Sequence, residues 1–163
     1  MGDNGTDAKL NNASNWIHQM MVFIKNHPKG YDENGMLSLI KSWAIVGRNW
    51  GNTGDPESSG DKYIASMKRY LLADREITAT TPLIDGHPDY KDPMKPSARL
   101  YRDLSDLMPQ VFGMGAERVL AFTDAEAALW GMLKAFRIQL AKESPERARK
   151  FRHSLSALRH QLH

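Results

Sequence analysis

The chain has 163 residues, 41% apolar and 25% charged, with a net charge of +3. That balance is typical of one globular domain with a single core and argues against disorder of the whole chain. There is no cysteine, which excludes disulfides, thiolate zinc sites and cysteine nucleophiles and fits a reducing compartment such as the cytoplasm. The first residues, MGDNGTDAKLNNASN, lack the basic start and apolar centre of a signal peptide. No run approaches the roughly 20 apolar residues that span a bilayer, so no membrane contact is expected.

Charge is unevenly placed. Residues 1–96 hold eleven Lys and Arg against twelve Asp and Glu, and residues 97–144 hold six against six. Residues 145–163 hold five against one. The net positive charge is therefore a property of one terminal segment.

Along the chain, residues 1–11 read as a flexible tail and 12–163 as a single helical domain. The first helix is expected from about Asn12 to His27, because Trp16, Ile17, Met20, Met21 and Ile24 form one apolar stripe. Pro28 and Gly30 stop it. Asp32 or Asn34 caps a second helix, whose Met36, Leu37, Leu39, Ile40, Trp43, Ala44 and Val46 are apolar on more than one face. Such a helix belongs in the centre of a core. Residues 51–60, GNTGDPESSG, read as a loop. Asp61 caps a third helix with Tyr63, Ile64, Met67, Tyr70 and Leu71 inside and Lys62, Lys68 and Arg69 outside.

Residues 80–96 contain four prolines and a glycine and read as a long irregular connection, of a length often tied to function. Ser97 starts a fourth helix, with an end or kink expected near Pro109. A short helical piece is expected over Ala116 to Phe122. Thr123-Asp124-Ala125-Glu126 has the pattern of a capping box and predicts a fresh start there. Ser144-Pro145-Glu146 predicts the start of the last helix, with Ser as cap and Pro in the first turn. Leu129, Leu133, Phe136 and Leu140 on one side of that joint match Ala148, Phe151, Leu155, Leu158 and Leu162 on the other. The matched stripes predict an antiparallel hairpin of 124–142 with 145–163. The expected fold is an all-α, single-domain bundle of about five to six helices ending in that hairpin.

Three features carry chemistry. The last helix bears Arg147, Arg149, Lys150, Arg152 and Arg159 around an apolar stripe, with His153, His160 and His163 among them. Guanidinium forks match phosphate geometry, and clustered cations gain affinity for nucleic acid through counterion release. A solvated helix face beside a core stripe is the plainer reading of the same residues. Arg48 with Trp50, ahead of the 51–60 loop, suits a partner contact, or else Trp50 closes the core edge and Arg48 snorkels. Asp85, His87, Asp89 and Asp92 in the proline-rich connection suit a histidine base oriented by carboxylates, or simply a turn.

No P-loop, dinucleotide fingerprint, zinc spacing or nucleophile elbow is present, so no cofactor or metal is called for. The expectation is a non-catalytic accessory protein that meets a nucleic-acid backbone through the last helix, within a larger assembly. A protein-interaction module, as adaptor, inhibitor, subunit or homo-oligomer, is the alternative. An enzyme built on the His87 loop comes third.

Overall fold

The computed structural model describes residues 4–52, 60–73, 76–81, 96–113 and 115–162. The protein is all-α. Its helices are α1 (Asn4–Lys25), α2 (Glu33–Gly51), α3 (Gly60–Ala73), α4 (Pro96–Val111), α5 (Ala116–Glu143) and α6 (Pro145–Gln161), with no strand among the described residues. None of these helices is long and apolar enough to cross a membrane. The chain groups into two compact units. One comprises Met1–Phe23, Asp32–Glu76 and Lys150–His163, the other Ile24–Tyr31 and Ile77–Arg149.

In the first unit, α1 takes in residues 4–11, which the sequence reading leaves outside the helix. Ala13, Ile17 and Met20 are buried, and Trp16 is half-buried, so the expected stripe faces inward. Asp32 caps α2, its carboxylate accepting from the Gly35 N–H at 2.7 Å. Met36, Leu39, Ile40, Trp43, Ala44, Val46 and Trp50 of α2 are all buried, as its broad apolar surface demands.

Helix α2 packs on α3, and glycines set how closely. A Cβ at Gly47 would fall on the Tyr63 ring, and one at Gly60 would lie 2.7 Å from the Arg48 carbonyl oxygen. The Gly60 N–H donates to the Asn52 side-chain oxygen at 2.9 Å, which fixes the start of α3 against the end of α2. Ile64, Met67 and Leu71 of α3 are buried.

In the second unit, α4 presents Leu100, Leu104, Met108 and Val111 to the interior and packs along α5. Pro109 does not end α4 at once. It sits in the last turn, where its missing N–H costs one bond, and the helix closes two residues later. The Gly113 N–H then bonds back to the Gln110 carbonyl at 3.0 Å.

One expectation is corrected here. The start at Thr123 does not occur, because α5 runs unbroken from Ala116 to Glu143. The Thr123 hydroxyl donates back to the Val119 carbonyl at 2.9 Å, one turn earlier, and caps nothing. No Gly or Pro between Ala116 and Trp130 interrupts the ladder, so local capping chemistry yields to helix continuation. Within the second unit α5 packs on α4, and the chain from Lys150 onward is grouped with the first unit. In α5, Ala121, Phe122, Ala125, Leu129, Trp130, Met132 and Leu133 are buried over several faces, more than one 4, 3, 4 stripe would cover.

Candidate nucleic-acid interface

Helix α6 starts as its sequence dictates. The Ser144 hydroxyl accepts from the Arg147 N–H at 3.2 Å, and Pro145 takes the first helical position. Phe151, Leu155, Leu158 and Leu162 are buried. That stripe fixes the rotation of the helix and therefore which cations face outward.

The five cations ring α6 and do not share one line. Arg149 and Lys150 are exposed, and Arg149, His153, Ser156 and His160 form the outward column at spacings of four, three and four. Arg147 lies at one edge of the buried stripe. It is exposed and sits 3.7 Å from Glu143, a solvent-facing pair worth little to stability. Arg152 and Arg159 lie at the opposite edge, and both are half-buried.

That opposite edge is engaged within the first unit. Arg152 approaches Glu76 at 4.0 Å. Arg159 donates from Nε to the Lys68 carbonyl of α3 at 3.1 Å. Of the five, Arg159 is thus partly a structural tie, whereas Arg149 and Lys150 point to solvent. Glu146 is the one acid of α6, and Arg147 to Gln161 carry none.

The other predicted contacts fare differently. Trp50 is only 8% exposed, so its ring is spent in the core and offers no docking surface. Arg48 is half-exposed in the α2–α3 joint. Its guanidinium lies 3.9 Å from Asp61, and its carbonyl abuts Gly60. Asp85, His87, Asp89 and Asp92 lie outside the described residues, as does His163. Among the described residues, no three His, Asp or Glu side chains converge as metal ligands.

Sequence reasoning left Lys68 and Arg69 as an ordinary solvated face. The Arg159 bond brings the Lys68 backbone against the end of α6, and no spacing within either helix signals it. No family model, no curated protein and no solved structure matches the chain.

Proposed function

We propose that this protein is a non-catalytic helical accessory protein that meets a nucleic-acid backbone through the exposed cations of α6, within a larger assembly. The observation that carries this reading is the first two turns of α6. Arg147, Arg149 and Lys150 are exposed there on a helix whose apolar stripe is buried, so the charges sit on a fixed surface. Such a surface positions phosphates and does not read bases. The lack of cysteine fits a reducing compartment such as the cytoplasm.

Titration of a short DNA duplex over a range of salt tests the reading. Each phosphate met adds about −0.9 to the slope of log K against log salt, so about three contacts give about −2.7. A fourfold rise in salt then weakens binding about fortyfold. A flat response, or no binding at low salt, removes the reading.

A second reading is a protein-interaction module, favoured by Val119 and Leu120 on α5. They are adjacent, 52% and 62% exposed, and apolar. Light scattering of the wild type and of Leu120→Ser tests it. Self-association lost in the variant supports this reading, and a monomer in both cases counts against a homo-oligomer.

A further inference from the structure

Within the first unit, the Arg159–Lys68 bond brings cations of two helices together. Arg152 and Arg159 are seven residues apart, about 10 Å along one edge of α6. Lys68 is half-buried, and Arg69, next in the chain, is exposed. The bond spends only the Arg159 Nε–H; the guanidinium has further N–H donors on its two terminal nitrogens.

Acids nearby are few. Glu76 meets Arg152 at 4.0 Å, with its own side chain 72% exposed. Asp61 lies at the other end of α3, beside Arg48. Lys68 to Ala73 carry no acid, and Asp74 and Arg75, whose charges cancel, lie outside the described residues. A row of cations spaced along a surface suits a repeating anion better than a single small one.

We propose that Lys68 and Arg69 complete a phosphate-binding surface with Lys150, Arg152 and Arg159 of α6, so that a nucleic-acid backbone is held by two helices of one unit. The proposal rests on the reading of α6 given above and adds α3 to it. The Arg159 bond fixes the two basic edges relative to each other, so the charges are presented in register and the chain loses little freedom on binding.

The test uses the full chain and a fluorescent DNA duplex of mixed sequence, followed by anisotropy from about 50 to about 200 mM salt. Lys150→Glu, Arg69→Glu and Lys41→Glu each change the charge equally; Lys150 is exposed on α6 and Lys41 on α2. Arg69→Gln runs alongside, and thermal unfolding establishes that each variant folds. The proposal expects Arg69→Glu and Lys150→Glu each to weaken binding about tenfold and to reduce the salt slope by about one. Arg69→Gln falls between these and the wild type, and Lys41→Glu stays within about twofold of the wild type. If Lys150→Glu weakens binding while Arg69→Glu matches Lys41→Glu, the two-helix surface is overturned and the α6 reading stands. If all three reversals weaken binding equally, net charge alone is responsible and the proposal fails. If the wild type does not bind at about 50 mM salt, both readings fall.

Discussion

The Arg159 guanidinium donates from Nε to the Lys68 carbonyl at 3.1 Å, tying the end of α6 to the second half of α3. The two residues are 91 positions apart, so the bond closes a long stretch of chain within one unit. One charged donor of the basic helix α6 therefore serves the fold.

Replacing Arg159 tests this role. Arg159→Ala removes a charge-assisted bond at a half-buried site and is expected to cost about 1–2 kcal/mol. Arg159→Lys keeps the charge but has no Nε–H in the same place, so it should recover little of that stability. Urea unfolding checks this, and equal midpoints for the three proteins would contradict it.

Glycine at position 47 is a second point of control. In an exposed helix, Gly→Ala adds stability of about 1 kcal/mol. Here the added methyl meets the Tyr63 ring, so the sign reverses and a loss of about 1–3 kcal/mol is expected. Shortening the ring partner in the double variant Gly47→Ala/Tyr63→Leu should return part of that loss. A stabilised Gly47→Ala protein would show that α2 and α3 are not in close contact.

Phe151 is 2% exposed and belongs to the stripe that orients α6. Phe151→Ala should cost about 3–5 kcal/mol. Leu120, largely solvent-exposed, should tolerate Ala with a change within about 0.5 kcal/mol. Thermal denaturation of the pair checks both, and a near-zero effect at Phe151 would mean that its stripe is open to a partner.

How much of this was legible varies from helix to helix. Ser144 and Pro145 announced α6, and the spacing of Phe151, Leu155 and Leu158 correctly named its buried face. Asp32 announced α2 in the same way. These are local signals, decided by bonds and contacts within one or two turns. The further apolar sides of α5 were less legible. Leu129, Leu133 and Leu140 of its expected stripe are buried, but so are Ala121, Ala125, Trp130 and Met132, which that spacing does not announce. Thr123 misled for a different reason. A hydroxyl that suits a cap equally suits the carbonyl one turn back, and only the surrounding chain decides between them. In the candidate interface, the cations of α6 were readable from composition, while the approach of the Lys68 backbone to α6 depends on a bond between distant residues.

Alkaline stability offers a prediction in the second unit. Burial pushes the Tyr31 phenol up to about 12, only partly offset by the nearby Ser97 hydroxyl, which acts in the lowering direction. The His27 ring stacks on it with centroids 5.2 Å apart. A folded-state value above the ordinary tyrosine value of about 10 means that the native protein holds this proton more tightly than the unfolded chain. The contribution is therefore whole below about pH 10 and is lost as pH rises toward about 12, a loss on the order of 2 kcal/mol. Tyr31→Phe should flatten that part of the profile. An unchanged alkaline slope in the variant would contradict the assignment.

The central claim is that the basic surface of α6 meets a phosphate backbone, and the salt dependence of duplex binding by the wild-type protein tests it most directly. The account predicts a linear fall of log K with log salt, with a slope of about −2.7 or steeper and little dependence on base sequence. A slope near zero, or no measurable binding at about 50 mM salt, would contradict it.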